Sequence, residues 1–108
     1  MLLDDQDRFA GMVAGLIVEI RKSGYKVSLG DCYRDARLHG DFGEKKGYGA
    51  AKSFHKKRLA IDINLFKDGR FLSKTEEHKR FGEYWESLGG TWGGRFNVPD
   101  GNHYSFGE

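Results

Sequence analysis

Residues 53–65 read Ser53-Phe54-His55-Lys56-Lys57-Arg58-Leu59-Ala60-Ile61-Asp62-Ile63-Asn64-Leu65, and the fold turns on them. Leu59, Ile61, Ile63 and Leu65 alternate with Ala60, Asp62 and Asn64, the period-two pattern of a strand with one apolar face. Asp62 falls on the opposite face amid apolar neighbours. A carboxylate placed there is costly unless a cation compensates it, so Asp62 is either ion-paired to a Lys or Arg or ligates a metal. Ala60, two residues back on the same face, is small and leaves room for a bound group. His55 precedes the turn-like Lys56-Lys57-Arg58, where a chain reversal would carry its imidazole over that face.

Upstream, Phe9, Met12, Val13, Leu16, Ile17 and Ile20 form one apolar stripe at helical period. Asp4, Asp5 and Asp7 suit the positive end of that helix, and Arg21, Lys22 and Gly24 its end. Tyr25, Val27 and Leu29 alternate with Lys26, Ser28 and Gly30 as a further strand. Residues 35–50, with Gly40, Gly43, Gly47 and Gly49, predict a long loop with one helical turn near Ala36–Leu38. Downstream, Lys67-Asp68-Gly69-Arg70 reads as a turn. Ser73 and Glu76 form a capping-box pattern for a second helix whose buried stripe is Phe81, Trp85 and Leu88. Gly89-Gly90 ends it, and a last strand is expected near His103–Phe106. The order helix, strand, loop, strand, helix, strand gives an α+β fold, with a small, mainly antiparallel sheet packed against two main helices.

A chain of 108 residues with 38% hydrophobic and 14% aromatic residues is one domain with a thin core, which a bound metal would help to stabilise. Its single cysteine excludes an internal disulfide. No apolar run approaches the ~20 residues of a membrane span, and the acidic start is the wrong charge for a signal peptide. The net charge is only +2, but residues 52–80 hold nine Lys/Arg against four Asp/Glu. Such a segment is a solvated positive face or a surface for polyanions.

Hydrolytic metal sites use three protein ligands and leave one position for water. Two neutral imidazoles and one carboxylate would leave Zn²⁺ with a net charge of +1, enough to lower the pKa of its water. Four histidines are available, His39, His55, His78 and His103. In Asp100-Gly101-Asn102-His103, Asp100 follows Pro99 on a turn and His103 opens a strand. The imidazole could then bind a metal while the carboxylate takes a proton from its water. His39 could touch substrate from the loop. His78 reads as a partly exposed packing residue, and Cys32, a lone Cys beside a strand, as core. Trp92, flanked by glycines, could line a cleft. No helix-borne H-E-x-x-H pattern is present.

Ser53 to Asp62 resembles the S-x-H-x-x-G-x-A-x-D motif of the zinc D-Ala-D-Ala carboxypeptidase and L-alanyl-D-glutamate endopeptidase family, peptidase M15. Trp92-Gly93-Gly94-Arg95-Phe96 followed by Asp100-x-x-His103 is similar to its second motif. Both are most similar to the short phage endolysin branch, and the resemblance runs from about Gly30 to Phe106. It implies the hedgehog/DD-peptidase fold and one zinc ion held by His55, Asp62 and His103. Asp100 would be the catalytic carboxylate and Arg34 the guanidinium that faces the scissile carbonyl. Ser53 and Trp92 would bind substrate or orient a ligand. The implied activity is zinc-dependent cleavage of peptidoglycan stem peptides by a single catalytic domain spanning 1–108, first as an L-alanyl-D-glutamate endopeptidase by similarity to phage lysins, with D-Ala-D-Ala carboxypeptidase action as the alternative. The implied enzyme is monomeric, needs neither nucleic acid nor membrane insertion, and waits in the host cytoplasm until it reaches the wall. Two departures stand out: Arg58 occupies the position where the motif commonly has Gly, and Asp35-Ala36-Arg37-Leu38 lacks the glutamine often found after the arginine. Two rivals are a non-catalytic zinc-binding recognition module and a basic nucleic-acid binder built on residues 52–80.

Overall fold

The computed structural model describes residues 1–47 and 50–107, so Tyr48 and Gly49 of the long loop, and Glu108, lie outside the described residues. The elements follow the expected order. Helix α1 spans Leu2–Lys22, strand β1 Lys26–Leu29, the short helix α2 Ala36–His39, β2 Ala60–Lys67, β3 Arg70–Leu72, helix α3 Thr75–Ser87, β4 Thr91–Trp92 and β5 His103–Ser105. Two 3-10 turns, Phe54–Lys57 and Gly93–Arg95, precede β2 and follow β4. Every strand pairing is antiparallel, in the order β1-β2-β5-β4, and β3 pairs with the far end of β2.

The alternation read in β2 sorts its side chains as expected. Ile61, Ile63 and Leu65 are buried against the helices, while Asp62, Asn64 and Phe66 face the other way and are half-buried. Phe9, Leu16 and Ile20 of α1 meet Phe81 and Trp85 of α3 over that sheet face. Burying each such side chain contributes about 1.5–3 kcal/mol.

Several expectations shift. The helix cap lies one residue later than Ser73/Glu76: the Lys74 N–H donates to Glu77 Oε1 at 3.1 Å, and the helix begins at Thr75. The Lys67–Arg70 turn closes a hairpin onto β3, a strand too short to show alternation. Cys32 is exposed rather than core. His39 is buried at the end of α2 rather than presented on a loop. His78 is fully buried, with Nδ1 2.9 Å from the Tyr104 hydroxyl.

Trp92 departs most from its expected place. It is 2% exposed, and its indole N–H donates to Gly101 O at 2.7 Å. A Cβ on Gly82, inside α3, would lie 2.1 Å from the indole. An interior helical glycine costs about 1 kcal/mol relative to alanine, and here it makes room for the ring. Trp92 therefore braces the turn that carries Asp100 and His103, and does not line a cleft.

Candidate metal centre

The site is built on the middle of β2. Both backbone groups of Asp62 are taken by the β1 side: its N–H donates to Asp31 O at 2.9 Å, and its carbonyl accepts from the Gly30 N–H at 2.8 Å. Toward β5, Asp62 is therefore a non-hydrogen-bonded partner of His103, with which it is in register. Such pairs bring their side chains closest on a shared face. His55 arrives from the 3-10 turn. Ser53 caps that turn by accepting the His55 N–H at 3.2 Å, and the His55 carbonyl accepts the Arg34 N–H at 3.1 Å. The turn ends at Arg58, which sits at φ 57° in the left-handed region. That is the conformation glycine adopts freely, so the position where the motif has Gly keeps the glycine geometry. The Arg58 guanidinium lies 3.9 Å from the centre of the Tyr33 ring, which offsets part of the strain.

Three ligating atoms converge. His55 Nε2 is 3.2 Å from Asp62 Oδ1 and 3.2 Å from His103 Nδ1, and His103 Nδ1 is 3.6 Å from Asp62 Oδ1. They are the one group of three metal-ligating side chains found among the described residues. Ligands bound tetrahedrally to zinc at about 2.0–2.2 Å stand roughly 3.3–3.6 Å apart, so the spacing fits the ion. The chemistry fits as well, since His55 is wholly buried and a cation would neutralise the adjacent carboxylate. Burial pushes the Asp62 carboxyl up, but hydrogen bonds and charge from His103 and His55 outweigh it and hold the group well below the usual carboxylate range. Asp62 is thus the anion that this chemistry needs.

Arg34, Ser53, Asp100 and His103 line one cleft of about 390 Å³, whose remaining wall is Ala50, Phe96, Val98 and Pro99. Arg34 is held on several sides. Its Nη1 donates to Ser53 Oγ at 3.0 Å, its Nε lies 3.5 Å from Asp31 Oδ2, and its Nη2 is 4.0 Å from Asp62 Oδ2. Asp100 is exposed on its turn, whose backbone is tied to Gly93 O through the Asp100 N–H at 2.9 Å. The candidate residues read from sequence thus form two linked groups, a ligand trio and a cleft wall that share His103; Trp92 belongs to neither. Sequence reasoning missed Asp31, which ties β1 to Asp62 and faces Arg34. Its place three residues before Arg34 was the available signal. It also missed Gly93, where a Cβ would lie 2.3 Å from Asp100 O and 2.8 Å from His103 Cβ.

The profile of a family described as D-alanyl-D-alanine carboxypeptidase, among the M15 peptidases, matches residues 46–106, more than half of the chain. The chain belongs to the M15 peptidase family. The matched span covers Ser53, all three converging side chains and Asp100, whereas Arg34 precedes it. No curated protein matches the chain. An M15 peptidase acts on substrates of the peptidoglycan type and is typically metal-dependent, and the His55, Asp62 and His103 group of this chain could hold that metal. No described helix of this M15 peptidase is long and apolar enough to cross a membrane.

Proposed function

We propose that the chain, acting over residues 1–108 as one monomeric catalytic domain, is a zinc endopeptidase that cuts the L-alanyl–D-glutamate bond of peptidoglycan stem peptides. His55, Asp62 and His103 would hold the ion. Bound there, zinc supplies a Lewis acid that polarises a water and the scissile carbonyl. Asp100 takes the proton of the attacking water and passes it to the leaving amine. Arg34 donates to the oxyanion that develops on the carbonyl, and the contacts from Ser53 and Asp31 fix it beforehand, so little reorganisation is needed at the moment of reaction. Ser53 also holds the turn that carries His55.

The observation that carries the proposal is the convergence of two imidazoles and one carboxylate beside a cleft that also holds an exposed Asp and a fixed Arg. The choice of the L-alanyl–D-glutamate bond rests on the likeness of the Ser53–Asp62 and Trp92–His103 motifs to the short phage endolysin branch. The family description favours a second reading, removal of the terminal D-Ala of a D-Ala-D-Ala stem. Digestion of purified muropeptides followed by mass spectrometry separates the two. Products split between L-Ala and D-Glu support the endopeptidase, and loss of one terminal D-Ala with that bond intact overturns it. A chelator should abolish cleavage, added zinc should restore it, and Asp62→Asn should reduce bound zinc well below one per chain. Solubilisation of intact walls would extend the reading from soluble stem peptides to wall lysis.

A further inference from the structure

The end of the sheet remote from the metal centre carries a second organised surface. Three shallow concavities adjoin there, sharing Tyr25, Lys26 and Lys67 along their borders. Around them stand five cations, Arg21, Lys26, Lys67, Arg70 and Arg80, against two carboxylates, Asp68 and Glu77. Five minus two is an excess of +3, whereas the whole chain carries +2, so the rest of the molecule is slightly negative. Glu77 is taken by Arg70 at 2.9 Å. Arg21, Lys26 and Lys67 have no carboxylate partner among the described residues, so their charges are open to an anionic ligand. Tyr25 organises the group: Lys67 Nζ lies 4.4 Å and Arg80 Cζ 5.6 Å from its ring centre.

We propose that this cationic strip docks the enzyme on a polyanionic phosphodiester polymer of the bacterial cell envelope while the cleft stays free to act. A row of open concavities suits a chain with repeated charges better than one small anion. The Tyr25 ring organises charge and offers no stacking face, since it is covered by Lys67 and Arg80 and packed edge-on against Phe81 at 5.1 Å; nucleic acid is the competing occupant that the test below separates. The position fits as well. Lys67 lies five residues along β2 from Asp62, about 16 Å at ~3.3 Å per residue, so a polymer bound at the strip would leave the metal centre uncovered. Helix α1 adds orientation. Its 21 residues, about 31 Å at 1.5 Å per residue, separate Asp4, Asp5 and Asp7 from Arg21 and Lys22, so a negative surface turns the strip toward itself. The choice of an envelope polymer as occupant rests on the peptidoglycan reading above; the binding of phosphodiesters does not.

The test is co-sedimentation of the zinc-loaded full chain with purified walls, before and after chemical removal of their phosphodiester polymers, over a range of salt. Hydrolysis of a soluble muropeptide is measured in the same preparations. Lys26→Glu/Lys67→Glu should weaken wall binding at least tenfold, and two lost contacts should reduce the log–log salt slope by about 1–2. Soluble hydrolysis should stay within twofold of the parent. Lys26→Gln/Lys67→Gln repeats the test without charge reversal, and Lys46→Glu/Lys52→Glu, an equal charge change elsewhere, should bind as the parent does. Equal sedimentation with stripped walls, unchanged binding by both Lys26/Lys67 variants, or tighter binding to a DNA oligonucleotide than to the phosphodiester polymer overturns the proposal. A parent chain that sediments through the strip yet leaves muropeptide intact supports the docking and sinks the peptidase reading instead.

Discussion

Replacing Gly93 with alanine would put a methyl group where no space exists, and the size of the effect follows from the distances. The new Cβ would stand 2.3 Å from Asp100 O, 2.8 Å from His103 Cβ and 3.2 Å from His103 O, against an ordinary contact of 3.4–4 Å. Relief requires the Asp100–His103 segment to move by about 1 Å, and that segment cannot slide freely. The Asp100 N–H is bonded to Gly93 O and the His103 N–H to Asp100 O. Overpacking of this kind costs about 1–3 kcal/mol, a fall of roughly 5–15 °C in Tm for a domain of this size. The functional loss should be larger. Metal ligands tolerate about 0.2 Å of misplacement, and a 1 Å error in a catalytic group costs on the order of 10²-fold. Calorimetry, zinc content by elemental analysis and muropeptide hydrolysis read the three effects separately. Gly11→Ala is the control: its Cβ would meet nothing within 4 Å in α1, so it should stabilise by up to about 1 kcal/mol with zinc and activity unchanged. A Gly93→Ala protein that melts within 2 °C of the parent and keeps full zinc would refute the packing argument.

Asp100→Ala should retain about one zinc per chain and lose 10²–10⁴-fold in hydrolysis, as expected for removal of a general base; retained activity, or loss of the metal, would remove Asp100 from the proposed role. His78 should make the protein acid-sensitive. Burial lowers its pKa below the ordinary histidine value of about 6.5, so below about 6.5 the unfolded chain binds a proton that the folded chain refuses, and stability falls as pH falls, by at most ~1.4 kcal/mol per pH unit. His78→Gln should flatten the slope of denaturant stability between pH 5 and 7, and identical slopes would count against the neutral buried imidazole. At Arg58, glycine removes left-handed strain of about 1–2 kcal/mol and loses the Tyr33 contact, worth about 0.5–1 kcal/mol. Arg58→Gly should therefore lie within about 1 kcal/mol of the parent, whereas Arg58→Val, β-branched and without that contact, should destabilise by more; urea titration of both decides it.

Burial marks out what sequence could and could not reveal. The stripe of α1 and the alternation of β2 were legible because each records, residue by residue, which side of one element faces the core. Asp62 was legible as an anomaly, a charge set into an apolar strand, and the two motifs of the family supplied its companions. Trp92, His39, His78 and Cys32 were misplaced because one residue's exposure depends on what packs over it. Glycines beside Trp92 look like slack in the chain, yet Gly82 and Gly94 are where the indole lies. The short strands β3 and β4 leave no period to detect and exist because β2 and β5 offer them free edges.

From the order of its residues alone, the chain determined which elements form and which side chains have the chemistry to bind a cation, since period, charge and donor type are local properties. Tertiary structure decided that those side chains meet. His55 and His103 are 48 residues apart in the chain, and Asp62 faces His103 closely because β1 takes both of its backbone bonds and leaves it a non-bonded partner of β5. The charged strip is likewise a product of folding, because α1, the start of β1, the end of β2, the start of β3 and α3 contribute its cations from segments that no single stretch of sequence unites.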